Sequence, residues 1–339
     1  MVDLVPPLAI RFVLDNARFA AGVFILAALA ALSGCASLMP QTKELAKGLP
    51  AGLPEKVELT ETPFFPQTQY QCGPAALATV LNAAGVKVTD AELVPQVYLP
   101  ERKGSLQVEM LAAPRRHGLI SYQLAPRFED LLREIASGTP VVVLQNLGMF
   151  SSGWHYAVAV GYDYWSGSLV MRSGTLERDV LPFGVHEVVW LRGGYWAMVV
   201  MPPDKIPVTA DENRWLASIA ALERTGDARN SRIAYQTFLG RWPENVNASI
   251  GLANAHHALG DLKDAEAVLR QAASRAPDSV VVLNNLAQTL SDLGRDQEAL
   301  PFAERARAAG GPFSSVVEKT YSMILQRLQS KGAGVQRLQ

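Results

Sequence analysis

Residues 64–81 read FFPQTQYQCGPAALATVL and decide how the first half of this chain folds. A run of good helix formers follows Gly73 and Pro74, with apolar residues at helical spacing, so a helix is predicted to begin at Cys72. The partial positive charge of a helix N-terminus favours thiolate over thiol, the state that a nucleophile needs. Gln67 lies five residues before the cysteine, where its side-chain N–H can donate to an oxyanion near the sulfur.

A cysteine nucleophile needs a base, and His155 is the histidine that is best placed on a predicted strand. The segment 154–162 reads WHYAVAVGY and follows a clear apolar strand, PVVVL, at 140–144. Alternation along an extended chain puts His155 on the same face as two alanines. Because these residues are small, we expect the helix of Cys72 to lie against this face and to bring its sulfur to the imidazole.

These blocks resemble a known family. QxxxxCGPAALA, then PVVVL and HYAVAVGYD, are similar to the double-glycine leader peptidases, papain-like cysteine peptidases found mostly at the N-termini of bacteriocin exporters, and to their free-standing relatives. The resemblance implies an α+β fold, with an N-terminal helix packed on an antiparallel sheet. It implies Cys72 as nucleophile, His155 as base and Gln67 as the oxyanion-hole glutamine. The family's glutamine usually stands six residues before the cysteine, so Gln69 and Gln71 remain competitors.

The resemblance covers about 63–200 and departs from the family at the third catalytic residue. The family has an Asp in a DP pair on the strand after the histidine, whereas here Ser173 occupies that position. A serine can hydrogen-bond an imidazole but does not stabilise its positive charge as a carboxylate does. Two other residues stay open as partners of His155. They are Asp163, in a predicted hairpin turn, and Asn146, at the end of the preceding strand.

The second half of the chain is predicted to be helical and repetitive. Gly226, Gly260 and Gly294 are 34 residues apart, and two prolines show the same separation. A period of 34 resembles the tetratricopeptide repeat, a helix-turn-helix unit in which the glycine closes the first helix with a left-handed cap. We expect about three repeats and a capping helix over 208–330, forming an all-α solenoid that binds a protein partner or substrate.

The N-terminus carries the pattern of a secreted, lipid-anchored protein. The segment 19–32 is uncharged, apolar and preceded by two arginines, which is typical of a signal peptide. The next residues, LSGC ending at Cys35, resemble the lipobox of bacterial lipoproteins, which implies removal of 1–34 and a lipid on Cys35. Ala36 follows, which in such lipoproteins implies the outer membrane with the protein facing the periplasm. Residues 35–56 are rich in proline and glycine and are predicted to be a tether.

Composition limits the remaining possibilities. A length of 339 residues fits roughly two domains. The proline-rich segment 201–207 separates a peptidase domain, 57–205, from the repeats at 208–330. Two cysteines exclude a disulfide-built scaffold and a four-cysteine zinc site. Lys and Arg number 31 against 32 Asp and Glu, so the net charge of −1 gives no argument for nucleic acid as a partner.

The sequence as a whole predicts a membrane-anchored cysteine peptidase that cleaves a peptide or protein and needs no cofactor or metal. His256 and His257 are adjacent on a predicted helix, so they point about 100° apart and do not form a shared metal site. Two alternatives remain open. One is a domain that has lost catalysis and only binds peptides, and the other is a Cys-His pair that serves acyl transfer or cross-linking.

Overall fold

The structure is a computed structural model that describes residues 39–67, 70–148 and 153–336. The predicted signal peptide, the lipid site at Cys35 and the competing Gln69 lie outside these ranges. Among the described residues, no helix has both the length and the apolar run needed to cross a membrane.

The first part of the chain contains an antiparallel sheet with helices on both faces. Its strands are β1 Lys56–Glu58, β2 Ile120–Gln123, β3 Val141–Asn146, β4 Trp154–Asp163, β5 Ser168–Ser173, β6 Leu176–Pro182 and β7 Ala197–Met201. Its α-helices are α1 Pro40–Leu45, α2 Cys72–Ala83, α3 Asp90–Val97, α4 Gln107–Ala112, α5 Phe128–Ala136 and α6 Phe183–Arg192, with 3-10 turns at Pro100–Arg102 and Ala113–His117. The predicted helix therefore begins at Cys72.

The long strand β4 organises the sheet. The strand order is β2-β7-β3-β4-β5-β6, and the short β1 also pairs with β4. Gly161 sits at a register shift in β4, where the carbonyl of Val57 comes so close that a Cβ at Gly161 would lie 2.6 Å from its oxygen. Only glycine leaves room for this approach, which explains the GY pair at the end of the HYAVAVGY block.

The prediction that α2 packs on the His155 face of β4 is wrong. The helix packs against the face of β4 that carries Tyr156, Val158 and Val160, whereas Ala157 and Ala159 belong to the cluster on the opposite side of the sheet. The reason is that α2 itself supplies small residues, with alanine at three of its buried positions. Close approach therefore needs no small residues on the strand, and larger side chains fill the interface.

The predicted tether is also wrong for the described residues before β1. Leu45 of α1 and the following Leu53 are both buried in the core. Glu187 of α6 accepts hydrogen bonds from the backbone N–H of Gln41 at 2.8 Å and of Thr42 at 2.6 Å. A proline at the first turn and two leucines that can be buried are enough to fold this segment onto the domain.

The second part is the predicted solenoid. Its helices are α7 Glu212–Glu223, α8 Ala228–Arg241, α9 Val246–Leu259, α10 Leu262–Arg275, α11 Val280–Asp292, α12 Asp296–Ala309 and α13 Ser314–Gln336. They form three antiparallel pairs and a final helix that packs on α12. Gly226, Gly260 and Gly294 have φ angles of 84°, 81° and 80°, the left-handed conformation predicted from their spacing.

The solenoid is fused to the sheet by a shared apolar cluster. Trp215 of α7 is fully buried and packs edge-on against Tyr122 of β2, with ring centroids 5.7 Å apart. The Tyr122 hydroxyl accepts a hydrogen bond from the backbone N–H of Asp211. The buried carboxylate of Glu134 accepts two more from the N–H and hydroxyl of Thr209. These contacts fix the first helix of the repeats against the edge strand β2.

Candidate active site

Cys72 is the first residue of α2 and is 9% exposed. The backbone N–H groups of Tyr156, Gly73 and Cys72 act on the sulfur in the direction that favours the thiolate and lowers its pKa. Burial acts in the opposite direction and is the largest effect, so the pKa of the Cys72 thiol is raised above its usual value. The helix N-terminus therefore acts in the predicted direction, but burial outweighs it and the neutral thiol is the resting form.

Gly73 is required by the wall of the site. A Cβ at this position would lie 2.2 Å from the hydroxyl oxygen of Ser105. The carbonyl of Ser105 in turn accepts a hydrogen bond from the Tyr156 hydroxyl at 3.2 Å. The CGP motif thus starts the helix and also lets the loop around Ser105 lie directly on it.

His155 lies at the start of β4, next to the residue whose backbone contacts the sulfur. Its Nε2 is 3.0 Å from the hydroxyl oxygen of Ser173, at the end of β5. Burial lowers the pKa of the imidazole below its ordinary value. His155 is therefore neutral at pH 7, and a neutral imidazole is able to accept a proton from a neighbouring thiol.

Of the three residues considered as partners of His155, the structure brings Ser173 to it. Asp163 lies at the far end of β4, 3.1 Å from the ammonium of Lys56. The side-chain oxygen of Asn146 accepts hydrogen bonds from the backbone N–H of Gly148 at 3.0 Å and from a second glycine of the same loop. Asp163 and Asn146 are thus engaged elsewhere, and the expectation that either orients the histidine is not met.

A further carboxylate near His155 was missed by the sequence analysis. Asp179 lies on β6 opposite Met171 of β5, and its charge raises the pKa of His155 against the effect of burial. The sequence signal that could have identified Asp179 was the hairpin of β5 and β6. In such a hairpin, a residue of β6 lies directly opposite a residue of β5, the strand that follows His155.

Cys72, His155 and Gln67 line one open cavity of about 990 Å³. The backbone N–H of Gln67 donates to the carbonyl of Gly174 at 3.1 Å, which holds the glutamine beside the end of β5. Gln67 and Cys72 also line a second, small void of about 10 Å³. The competing Gln71 is the residue immediately before α2. The structure therefore brings the three predicted site residues to the same cavity.

The wall of this cavity is basic. Arg102, Lys103 and Arg192 line it, and the described lining residues include no carboxylate. Tyr70 and Lys103, on two facing loops, have positive φ angles of 67° and 48°, and the Lys103 ammonium lies 5.5 Å from the centre of the Tyr70 ring. Non-glycine residues in this conformation are strained, and such strain clusters at functional sites. Trp154 is 56% exposed at the cavity.

One group of described residues has a geometry that could hold a metal ion, and it lies in the repeats. Ligand atoms of His256, Asp261 and Asp264 are all within 4.8 Å of one another. The guanidinium of Arg232 lies 3.4 Å from Asp261 and already supplies a positive charge there. This arrangement fits an ion pair better than a metal site.

The remaining histidines also lie outside the cavity lining. His257 is 3.0 Å from Asp292, and His117 is 3.2 Å from the side-chain oxygen of Gln96. His186 is fully buried in α6, where it stacks on a tryptophan and accepts a hydrogen bond from Gln145.

The repeats carry a separate groove of about 440 Å³ between α9, α11 and α13. Its polar lining is rich in side-chain amides, and Asn285 donates to the oxygen of Asn254 at 3.1 Å. Asn284 is buried, and its side-chain oxygen has no hydrogen-bond partner among the described atoms. Amides of this kind can donate to and accept from the backbone of an extended peptide.

Comparison with known proteins agrees with both halves of the fold. Residues 59–180 match the model of the Peptidase_C39 like family, and residues 216–280 and 257–313 match two tetratricopeptide repeat models. The search of curated proteins found no match.

The solved structures that the comparison found include C39-like peptidases and tetratricopeptide repeat proteins. A protein described as a C39-like peptidase from Bacillus anthracis is 19% identical, with 44% of this chain and 98% of that chain covered and a TM-score of 0.38. The peptidase domain of Streptococcus ComA, a bi-functional ABC transporter, is 18% identical over 42% and 99% of the two chains, with a TM-score of 0.35. The TPR2B domain of yeast Sti1 is 19% identical over 34% and 97%, with a TM-score of 0.33. The family models thus match a Peptidase_C39-like segment in the first part of the chain and tetratricopeptide repeats in the second.

Proposed function

We propose that this protein is a membrane-anchored cysteine peptidase of the double-glycine leader peptidase type. The observation that carries the proposal is that Cys72, His155 and Gln67 line one cavity, with Nε2 of His155 hydrogen-bonded to the Ser173 hydroxyl. A nucleophile, a base and an oxyanion donor at a single open cleft are the minimum set for acyl transfer through a thioester.

The reaction starts from a neutral pair, because burial raises the pKa of Cys72 and lowers that of His155. Nδ1 of His155 takes the thiol proton as the sulfur attacks the substrate carbonyl. The Gln67 side chain and the backbone N–H of Cys72 donate to the resulting oxyanion. The imidazolium then donates through Nε2 to Ser173 and returns the proton to the leaving amine. Water, activated by the same imidazole, hydrolyses the thioester.

The cleft and the groove suggest the kind of substrate. Three basic side chains at the cavity favour a peptide with acidic residues near the cleavage site, since opposite charges attract across a cleft. The amide-lined groove of the repeats fits the backbone of an extended segment of the same protein or of a partner. Cleavage after a small pair such as Gly-Gly follows from the family likeness.

A lipid on Cys35 would hold the peptidase domain near the membrane surface. Since α1 begins at Pro40 and packs on the domain, five residues remain as a link, which spans at most about 17 Å. The 22 residues of the predicted tether would have allowed about 75 Å. We place the protein at the outer membrane, facing the periplasm. Its substrate is therefore expected close to the lipid surface.

Changing Cys35→Ser should move the protein from the membrane fraction to the soluble fraction.

The peptidase activity is tested with the full-length protein in detergent and a peptidyl electrophile that reacts with nucleophilic thiols. We expect Cys72 to be labelled at least about tenfold faster than an unfolded thiol, because His155 assists deprotonation. Cys72→Ala should abolish labelling and His155→Ala should slow it to the rate of an unassisted buried thiol. His117→Ala, a histidine outside the lining of both the cavity and the repeat groove, serves as the matched control. Equal rates in the wild type and His155→Ala would rule out the catalytic role.

One observation favours a second candidate function. Ser173 stands where the family has a carboxylate, so the domain could bind peptides without cleaving them. Binding of a peptide at the cleft with no labelling of Cys72 and no cleavage products would establish this alternative.

A further inference from the structure

The hydrogen-bond partner of His155 is a serine, which carries no charge. During the proposed reaction the imidazole becomes positively charged in a site that is largely buried. A buried cation without a nearby anion is costly, because little water is available to solvate it. The proposed reaction therefore requires a carboxylate close enough to His155 to stabilise the imidazolium.

Strand pairing brings Asp179 to the same side of the sheet as His155 and Ser173. Asp179 is directly opposite Met171 in the β5–β6 pairing, and Ser173 lies two residues further along β5. Alternation puts Met171 and Ser173 on one face. Met171 and Ala157 share the cluster on that side of the sheet, and Ala157 is two residues from His155 on β4. The three side chains thus lie on one face of three neighbouring strands.

A register shift between Met171 and Ser173 adjusts this arrangement. Met171 is opposite Asp179 and Ser173 is opposite Leu176, so two steps along β5 correspond to three steps along β6. β6 therefore has one extra residue in this interval. Such an irregularity bends the strand and redirects side chains next to it. It lies between the residue opposite Asp179 and the residue that hydrogen-bonds His155.

The other charged groups around His155 act elsewhere or have the wrong sign. Arg172 follows the opposite face of β5 and donates to backbone carbonyls of Thr60, Thr62 and Glu177. Glu187 of α6 accepts from the backbone of α1. The other titratable groups at the cavity or on α6 include no carboxylate: they are Tyr70, Cys72, Arg102, Lys103, Tyr156, Arg192 and the buried His186. Asp179 is the carboxylate whose charge acts on His155.

We propose that Asp179 is an acidic positioning residue of the active site, supplying from β6 the negative charge that the family places directly next to the histidine. Ser173 fixes the direction of the imidazole, and Asp179 stabilises its charge across the strand. Ser173 and Asp179 thus share the two roles, orientation and charge stabilisation, that a single aspartate has in the family. This inference rests on the proposed peptidase function for its catalytic consequence, but the electrostatic link between Asp179 and His155 is measurable without it.

The test uses the full-length protein in detergent with Asp179→Asn. Two quantities are measured: the pH profile of Cys72 labelling, and the titration of the His155 ring protons by NMR. Removing the charge should lower the pKa of His155 further, so that the acidic limb of the profile moves to lower pH. The plateau rate should fall about five- to tenfold, since the imidazolium is less stabilised in the transition state. A merely structural role would reduce the plateau without moving the limb.

Two further variants control this result. Asp163→Asn removes a carboxylate from the other end of β4 and should leave both the limb and the plateau unchanged. The double variant Asp179→Asn with Ser173→Asp moves the charge next to His155 and should restore both. An unchanged His155 titration in Asp179→Asn, or an equal shift in Asp163→Asn, would overturn the inference. If Cys72 labelling never depends on His155 while the NMR shift is present, the peptidase proposal fails and the electrostatic link stands.

Discussion

At Cys72, two electrostatic effects act on the thiol in opposite directions. The helix N-terminus stabilises a nearby negative charge by up to about 1 kcal/mol in exposed positions. Removal of the sulfur from water can shift a pKa by several units, each worth about 1.4 kcal/mol. Burial therefore dominates, and Cys72 rests as a protonated thiol beside a neutral His155. In the proposed reaction, proton transfer from Cys72 to His155 would therefore have to accompany attack, so the environment of the imidazole would control the rate.

His186 allows a test of burial at the scale of a single residue. Burial lowers its pKa to about 3 from an unfolded value of 6.5. Between these values the unfolded chain binds a proton that the folded protein does not, so this residue reduces stability as the pH falls below about 6.5. From pH 7.5 to pH 5.5 the loss attributable to His186 is about 1.4 kcal/mol.

The variant His186→Asn keeps an acceptor for Gln145 and removes the titration. Urea unfolding at the two pH values should show that the variant loses about 1.4 kcal/mol less stability than the wild type on acidification. The measurement at pH 7.5 gives the cost of the substitution itself. The same loss in both proteins would contradict a buried neutral histidine at this position.

At the scale of the element, β4 shows how one strand serves two sides of a sheet. Its face with Tyr156 and Val158 packs on α2, and its face with Ala157 belongs to the cluster on the other side. His155 is on the second face, yet the sulfur of Cys72 reaches the strand through the backbone N–H of Tyr156. Cys72 and His155 thus line the same cavity at the start of β4, where the strand still pairs with β3 but its pairing with β5 has ended.

The turn glycines of the repeats give a prediction about helix ends. Gly260 has a φ of 81°, and a Cβ there would meet nothing within 4 Å, so the cost of a side chain is purely conformational. Gly260→Ala should lower the free energy of unfolding by about 1 kcal/mol. The measurement is urea unfolding at neutral pH.

Gly240 is the matched control. It lies inside α8, and a Cβ there also meets nothing within 4 Å, but its φ is not in the left-handed region. Gly240→Ala should leave stability unchanged or raise it by up to about 1 kcal/mol. A similar loss for both substitutions would mean that the left-handed caps do not set the repeat geometry.

At the scale of the whole molecule, the junction between sheet and solenoid is a packed interface. Trp215 of α7 joins the same apolar cluster as residues of β2 and α5. A Cβ on Gly118, in the turn before β2, would lie 2.4 Å from the side chain of Asn230 in α8. Contacts from both helices of the first pair join the repeats to the part of the chain that contains the sheet. The groove of the repeats is therefore held in a fixed relation to the sheet.

This interface predicts that the two halves unfold together. Trp215→Ala removes a fully buried indole and should cost about 3–5 kcal/mol, because a large cavity remains. The wild type should show one unfolding transition by calorimetry, and Trp215→Ala should show two. Trp215→Phe is the control. It keeps an aromatic ring against Tyr122, and it breaks no hydrogen bond, because the indole N–H has no partner among the described atoms. Two transitions in the wild type would disprove the coupling.

The sequence alone determined the features that depend on neighbours along the chain. The start of α2 at Cys72, the strand with His155 and the left-handed glycine caps follow from local propensity, alternation and a 34-residue period. The family likeness was predicted over about 63–200 and the repeats over 208–330, and the family models match the overlapping residues 59–180 and 216–313. Local patterns suffice where the physics is local.

Tertiary structure decided what depends on contacts between distant residues. It docked a helix, Pro40–Leu45, from the described part of the predicted tether onto the domain, and it placed α2 on the face of β4 opposite to the expected one. It also buried the thiol of Cys72 enough to raise its pKa, against the effect of the helix N-terminus. It also brought Asp179 to the face of the sheet that carries His155. Burial and cross-strand register arise only when the chain has folded, because both depend on which surfaces meet, and a pattern of residue types leaves that choice open.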